Sequence, residues 1–439
     1  MFRYYLKLGL LSIRANPALS SLMVAAIAIG IGACMTIMTI RHVMSDNPIA
    51  HKNDVLYHVQ VDNWNPADAY EDPDKPPEQL TYLDAKALHD AGRAYRQVTS
   101  YKTSRVVQPE GDEARPFQLD VRATTADFFP MFDVPFLYGT GWDGNSDSAL
   151  ERVAVLSRDL TQRLFGGEDS VGRMLTLNGE PYRIAGVLDE WNPVPKFYDL
   201  NNNPYEAPAE LFLPFSLAAT NGFDRDGNTS CWKPVEDGGF DRFLGSECIW
   251  IQMWVELRDP SEKDEYLQFL DAYVEEQKAL GRFARPLNNR LNTPAEWMAD
   301  REVVDDSVSV LLSIAVLFLV VCLLNTIGLL LAKIMRRAKD ISLRRALGAS
   351  RSALFAQHII EAGIIGAAGG LLGIVATWFG LRGIEQLYIE YDFIEHLVRM
   401  DWSMVLLAVV LAIVSALAAA LYPTWRACNI TPASQLRIQ

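Results

Sequence analysis

Four long apolar runs constrain this chain more than any other feature of its 439 residues. The first run, Ala18 to Ile40, contains no charged residue, and three more follow in the last third of the sequence. About 20 apolar residues in a helix cross the hydrocarbon core of a bilayer. A cleavable signal peptide has a shorter apolar stretch followed by a small-residue site. We therefore expect the first run to persist as a membrane span.

The spacing of the runs predicts a membrane α-helical fold. It has four transmembrane helices and a large α+β extracytoplasmic domain inserted between the first and second spans. The predicted segments are an interfacial helix at 1–17, span 1 and the start of a stalk at 18–44, the extracytoplasmic domain at 45–306, span 2 at 307–333, a loop at 334–352, span 3 at 353–388, an outer loop at 389–401, span 4 at 402–425 and a tail at 426–439. The segment from Thr293 to Asp306 is helix-like and runs into span 2 without a breaker, which predicts a rigid stalk.

Basic residues set the predicted orientation, because lysine and arginine near span ends are retained in the cytoplasm. Arg3, Lys7 and Arg14 precede the first run, and the loop at 334–352 is rich in arginine. Both termini and this loop are therefore predicted to be cytoplasmic.

Acidic residues are concentrated in the segment 45–306, which accounts for the net charge of −14 at pH 7. This charge argues against a nucleic-acid partner, since phosphate binding requires clustered cations. It is compatible with a cationic cargo or with a merely solvated acidic surface.

Within the inserted domain, the alternating run Val55 to Val61 predicts a strand, and Thr81 is positioned to cap a helix. The Asn178-Gly179 dipeptide lies between two alternating runs and predicts a hairpin. From Arg152 onward the sequence changes to short strands and glycine turns, so two subdomains are expected.

Two cysteines, Cys231 and Cys248, fall outside the spans. A disulfide between them would close a loop of about 18 residues and contribute roughly 3 kcal/mol. Two buried free thiols are the alternative.

Polar and small residues also interrupt the apolar runs. Asn325 lies in the second run, and Glu361 lies about two turns into the third, where it is either a buried functional charge or a group that reaches the interface. Four glycines at small-xxx-small spacing predict close helix packing in span 3: Gly366, Gly369, Gly370 and Gly373.

No catalytic residue and no metal site are predicted from the sequence. Its six histidines are scattered, and it carries no recognisable nucleophile motif. The acidic stretch Asp224 to Asn228 does not match the spacing of a calcium loop.

The loop between the second and third runs is the most informative segment. If residues 336–348 form a helix, Leu343 and Leu347 lie one turn apart and basic side chains cover the remaining face. Gly348 is placed to end this helix in a left-handed cap, and Ser350 to cap the next one. Such a helix is either a handle that moves both spans or a basic helix resting on anionic lipid.

The segment from Arg336 to Arg351, with Gln357 and Glu361 behind it, closely resembles the signature of MacB/FtsX-type ABC permeases, also called type VII or mechanotransmission transporters. The tail motif from Tyr422 to Ala427, followed by Thr431 to Arg437, looks like the terminal pattern of that family. Phe128 to Gly139 and Val153 to Leu188 are similar to its MacB-like periplasmic core domain. The resemblance extends over nearly the whole chain.

In that family the loop helix docks on the nucleotide-binding subunit. The resemblance assigns ATPase coupling to Arg336, Arg337, Asp340, Ile341, Leu343, Arg344, Arg345, Ala346, Leu347 and Gly348. This sequence has no Gly-x4-Gly-Lys-Ser/Thr phosphate loop. The resemblance therefore implies a non-catalytic permease without a cofactor of its own, and a separate ATPase that binds ATP and Mg.

The resemblance further implies a bacterial inner-membrane protein that pairs with a second copy of itself or with a homologous permease. The expected function is export of a periplasmic substrate, such as an antibiotic or peptide, through an adaptor and an outer-membrane channel. Lipoprotein release uses the same architecture and is an alternative. A signalling subunit that activates a cell-wall hydrolase is another, although its outer domain is usually much smaller.

Overall fold

The computed structural model of the chain describes residues 2–109, 115–235, 237–337, 343–345, 347–387 and 402–428. Two compact units are present: a membrane unit formed by Met1–Ser45 with Val304–Gln439, and an extramembrane domain formed by Asp46–Val303. Among the described residues of the membrane unit, four helices are long and apolar enough to cross a membrane. The predicted fold class, four spans with an α+β domain inserted after the first, is confirmed.

The membrane unit consists of long helices. They are the elbow helix Phe2–Ala15, span 1 Pro17–Ser45, span 2 Asp306–Arg336, span 3 Arg351–Leu387 and span 4 Trp402–Cys428. The predicted outer loop at 389–401 and the tail beyond residue 428 lie outside the described residues.

Span 3 packs closely against two neighbours through its four predicted packing glycines. Gly366 and Gly370 face span 4, where an added Cβ would lie 2.6 Å from Ala416 Cβ and 2.9 Å from Ala412 Cβ, respectively. The other two glycines face span 1, and an added Cβ on Gly369 would lie 2.7 Å from Ile27 Cγ2. Small residues therefore let both neighbours approach the backbone of span 3.

We predict that Gly366→Ala destabilises the bundle by about 1–3 kcal/mol, because the added methyl group overlaps Ala416. Thermal unfolding of the detergent-solubilised protein should show a lower midpoint. Gly328→Ala is the matched control, since an added Cβ there meets no atom within 4 Å. Equal midpoints for the two variants would contradict the close contact.

The extramembrane domain contains both helices and strands. The helices are Tyr82–Asp90, Phe128–Met131, Gly144–Ser148, Arg158–Phe165, Phe215–Thr220, Gly239–Leu244, Lys263–Ala279 and Pro294–Asp300, with 3-10 turns at Ala50–Lys52, Phe197–Asp199 and Pro260–Glu262. The strands are β1 Leu56–Gln60, β2 Arg96–Gln108, β3 Phe117–Thr124, β4 Phe136–Gly139, β5 Val153–Leu156, β6 Met174–Leu177, β7 Glu180–Leu188, β8 Leu211–Pro214, β9 Gln252–Glu256 and β10 Arg290–Asn292.

These strands form one mixed sheet with the order β10-β1-β9-β2-β3-β8-β5-β7-β4, and β6 pairs with β2 and β7. The expected division into two subdomains near Arg152 is therefore wrong for the strands. β8, from the second half, pairs in parallel with β3 of the first half and antiparallel with β5. The local sequence does not reveal this long-range pairing, because the alternating pattern of a strand is the same whether the strands form one sheet or two.

Two hydrophobic cores lie on the two faces of this sheet. Successive side chains of a strand point to opposite faces. In β8, Leu211 and Leu213 belong to one core and Phe212 to the other. β9 alternates in the same way, with Met253 in the first core and Trp254 in the second.

Several local predictions agree with the structure. The Thr81 hydroxyl accepts a hydrogen bond from the Asp84 amide at the start of its helix. Asn178 and Gly179 both have positive φ, 47° and 85°, between β6 and β7. Such angles at both central residues are typical of a type I′ hairpin turn. Cys231 and Cys248 are joined by a disulfide, with their Cα atoms 4.2 Å apart.

The predicted continuous stalk is wrong. The helix that begins at Pro294 ends at Asp300, and Glu302 has a positive φ of 47°. A new helix then begins at Asp306, where the Asp305 carboxylate accepts a hydrogen bond from the Ser307 amide. Aspartate is a strong N-cap, so the Asp-Asp pair marks a helix start rather than a helix interior.

His58 is a buried titratable group in the second core of the extramembrane domain. Its ring stacks on Trp297 at 3.9 Å between centroids and meets the edge of Trp254. Neither ring nitrogen has a hydrogen-bond partner among the described residues. Burial, with a contribution from the positive charge of Arg301, lowers the pKa of His58 to about 3.

This lowered pKa makes the domain sensitive to acid. The folded state holds His58 neutral, so its stabilising contribution is present above the unfolded pKa near 6.5 and is lost as the pH falls toward 3. One proton corresponds to about 1.4 kcal/mol per pH unit. We predict that His58→Phe removes roughly 2 kcal/mol of the destabilisation between pH 6.5 and about pH 5, measured by thermal unfolding of the full chain. His51→Gln, at an exposed histidine that contacts Asp133, should lose stability over this pH range as the wild type does. The same pH slope in wild type and His58→Phe would contradict this assignment.

Candidate coupling site

The coupling segment, residues 336–348, ends in a tightly capped turn. Residues 343–345 are helical, and the Leu347 amide donates to the Leu343 carbonyl at 3.0 Å. Gly348 has a φ of 98°, and its amide donates to the Arg345 carbonyl. A left-handed glycine at this place is the helix ending that the sequence predicts. Asp340, Ile341 and Ala346 lie outside the described residues.

Two leucines of this turn have exposed side chains. Leu343 is 59% exposed and Leu347 is 80% exposed. The chain then enters span 3 at once, because Ser350 Oγ accepts from the Ala353 amide at 3.2 Å and caps that helix. The leucine pair therefore lies on a short, fixed connection into span 3.

Two arginines of the coupling segment are hydrogen-bonded to neighbouring helices. Arg336 is exposed at the end of span 2, and Arg345 is half-buried. The Arg344 guanidinium donates to Gln357 Oε1 of span 3 at 3.2 Å. Arg337, at the carboxyl end of span 2, donates to the Ser12 hydroxyl at 2.6 Å and to the Ser12 carbonyl at 3.2 Å.

Glu361 lies at the centre of a buried polar cluster in the bundle, and only 3% of its surface is exposed. Its Oε1 is 2.5 Å from Lys333 Nζ and accepts from Ser12 Oγ at 2.6 Å. His358 Nδ1 lies 3.6 Å from its other oxygen. Of the two alternatives for Glu361, the structure places it in a buried ion pair.

The cluster joins four helices. Lys333 also donates to the Ser20 hydroxyl at 3.0 Å, so span 1 is included with span 2, span 3 and the elbow helix. We call the six residues the Glu361 cluster: Ser12, Ser20, Lys333, Arg337, His358 and Glu361. The elbow helix approaches closely at Gly9, where an added Cβ would lie 2.8 Å from Ile364 Cδ1.

Sequence reasoning missed Ser12, Ser20 and Lys333 as parts of this cluster. The sequence did contain a signal for this pair, because Lys333 is the first cation after the charge-free body of span 2 and Glu361 is the first acid within span 3. Opposite charges in neighbouring spans pair when both are withdrawn from water. Asn325 is not brought to the cluster and lies exposed on span 2.

Family comparison agrees with this architecture. A profile described as the MacB-like periplasmic core domain matches residues 20–271, which is more than half of the chain. A second, described as the FtsX-like permease C-terminal, matches residues 312–432, a range that includes the coupling segment. The chain belongs to the MacB/FtsX-type family of ABC transporter permeases.

Individual relatives are distant. The macrolide export ATP-binding/permease protein MacB of Rhodospirillum rubrum is 24% identical over 84% of this chain, and the chain spans 51% of that protein's length. The uncharacterized ABC transporter permease YknZ of Bacillus subtilis is 20% identical over 99% of this chain and 98% of its own length. The crystal structure of the periplasmic region of MacB from Actinobacillus actinomycetemcomitans aligns with 57% of this chain and 94% of its own, at 13% identity and a TM-score of 0.36.

We predict that the Lys333–Glu361 pair is strongly coupled. Removing one partner leaves a buried charge unpaired and costs about 3–5 kcal/mol. Lys333→Met and Glu361→Gln should therefore each lower the thermal midpoint of the purified permease, whereas the double variant should recover most of the loss. Additive losses in this double-mutant cycle would show that the two charges do not stabilise each other.

Proposed function

We propose that the chain is the non-catalytic, membrane-embedded subunit of an ABC transporter, driven by a separate ATPase subunit that binds ATP and Mg. The coupling segment docks on that ATPase. Nucleotide-dependent closure of the ATPase moves the segment, and the spans carry the motion to the extramembrane domain, to which they connect covalently at Ser45 and Val303.

One observation carries this proposal: an exposed leucine pair stands on a capped turn whose flanks are bonded into the bundle. Leu343 and Leu347 offer apolar surface to a protein partner, which is typical of the centre of a docking interface. Arg337 and Arg344 tie the same segment to the elbow helix and to span 3. A push on the leucines is therefore transmitted to several helices.

The proposed orientation follows the basic residues. Lys7 and Arg14 precede span 1, and Arg336 and Arg344 lie at or after the end of span 2. We therefore place these ends of the spans in the cytoplasm of a bacterial cell, and the extramembrane domain on the opposite side of the inner membrane. An ATPase docked at the coupling segment would then have access to cytoplasmic ATP.

The proposed cargo is a periplasmic substrate, such as an antibiotic or peptide, that a dimer of permeases drives into an adaptor and an outer-membrane channel. The relative in Rhodospirillum rubrum is named a macrolide export protein, which supports export over a purely regulatory role. Lipoprotein release shares the same architecture. A lipoprotein carrier encoded next to this gene, in place of an adaptor, would favour that alternative.

Docking is tested by placing a charge on the exposed leucines. We predict that Leu347→Glu, and separately Leu343→Glu, lowers copurification of the ABC ATPase from cells that express the native gene cluster by at least about tenfold. A tenfold loss corresponds to roughly 1.4 kcal/mol of binding free energy. It is a lower limit, because truncating an anchor residue at the centre of an interface costs more than this. ATPase activity of the purified complex, measured by phosphate release, should fall in parallel.

Leu280→Glu is the matched control, because Leu280 is 71% exposed but lies in the extramembrane domain. It should leave ATPase recovery unchanged. Undiminished recovery and hydrolysis in both coupling-segment variants would refute docking at this turn.

A further inference from the structure

A cleft of about 310 Å³ opens between the elbow helix, the coupling segment and the start of span 3. Its polar side is formed by Ser12, Arg337, Arg344, Gln357 and His358, and its apolar side by Leu8, Leu11 and Leu354. The proposed ATPase contact uses Leu343 and Leu347, neither of which lines this cleft. The cleft is therefore a different surface from the exposed leucine pair, although its two arginines belong to the coupling segment.

The cleft is positively charged. Arg337 is held by the hydroxyl and carbonyl oxygens of Ser12 and by the side-chain oxygen of Asn16, and Arg344 by the side-chain oxygen of Gln357, all of them neutral acceptors. Neither guanidinium forms an ion pair with a carboxylate among the residues that the structure describes. Glu361, whose carboxylate accepts from the lining residue Ser12, is already paired with Lys333. Two cations with unused N–H donors therefore face the same space, a pattern suited to phosphate oxygens.

The apolar side of the cleft selects among anions. Leu11 is 52% exposed, and the elbow helix also exposes Leu6 and Leu10. An amphipathic helix of this kind lies at a membrane interface, with its leucines in the acyl region and its polar groups at headgroup level. A free phosphate ion would use only the arginines. A phospholipid would use both sides of the cleft at once.

We propose that this cleft binds an anionic phospholipid of the leaflet in which the elbow helix lies. Arg337 and Arg344 bind its phosphoryl oxygens, and one acyl chain runs along Leu8 and Leu11. Basic pockets between helices at the cytoplasmic face are suited to such headgroups. The lipid would bridge the elbow helix and the coupling segment, so its loss would loosen that end of the bundle.

The test is lipid retention by the full-length protein, measured by native mass spectrometry. The protein is exchanged from detergent containing equal amounts of phosphatidylglycerol and phosphatidylcholine into lipid-free detergent. Wild type should retain one phosphatidylglycerol per chain in preference to phosphatidylcholine. Arg344→Gln should lower this retention about tenfold, as expected for the loss of one charge-assisted contact.

Two matched variants separate a specific site from general attraction. Lys7→Gln removes an exposed cation from the same elbow helix but not from the cleft, and it should retain the lipid. Leu11→Glu places a carboxylate on the apolar side and should abolish retention, whereas Leu10→Glu, at an exposed neighbour outside the cleft, should not. These elbow-helix variants test the site even if Arg344→Gln fails to fold.

Some results would overturn the proposal. Equal retention of the two lipids, or equal loss in Arg344→Gln and Lys7→Gln, would rule out a specific headgroup site. Displacement of the lipid by millimolar inorganic phosphate alone would assign the arginines to a free anion. Because lipid retention is read without an ATPase, a failure here leaves the docking proposal standing, and a failure of docking leaves the lipid site standing.

Discussion

Lys333 and Glu361 bring opposite charges together inside a bundle whose spans are otherwise almost free of charge. Hydrocarbon cannot solvate either group, so each charge depends on the other and on the hydroxyls of Ser12 and Ser20. The pair lies on the two spans that flank the coupling segment. It therefore fixes the end of span 2 against the start of span 3 and determines where the connecting turn emerges.

The glycines of span 3 also hold the helices together, by close packing rather than by charge. Gly366 and Gly370 bring span 4 close, and Gly369 and Gly373 bring span 1 close. Within lipid, close van der Waals packing of this kind takes the place of the hydrophobic effect as the force between helices. Polar bonding at one end and close packing along the spans make the helix bundle one mechanical unit. The proposed transmission of force from Leu343 and Leu347 depends on this packing.

The extramembrane domain relies on the sheet instead. A single strand order brings together segments from both halves of its sequence, and its two cores lie on opposite faces of that sheet. His58 shows the cost of such burial, because it occupies the second core without a hydrogen-bond partner among the described residues. The stacking of its ring on Trp297 takes the place of solvation for the neutral imidazole.

Local chemistry alone determined much of this protein. Run length fixed the four spans, Thr81 and Ser350 marked helix starts, and Asn178-Gly179 marked a hairpin, because each signal depends only on neighbours in sequence. The glycine spacing in span 3 and the capped turn at Gly348 were predictable for the same reason. Only the tertiary structure decided that β8 joins two halves into one sheet, that Lys333 is the partner of Glu361, and that Leu8 and Leu11 share a cleft with Arg344. These are contacts between residues far apart in sequence, and their identity depends on how whole elements pack in three dimensions. The break at Asp305 lies between the two cases: its capping signal was local, but the surrounding helical pattern concealed it.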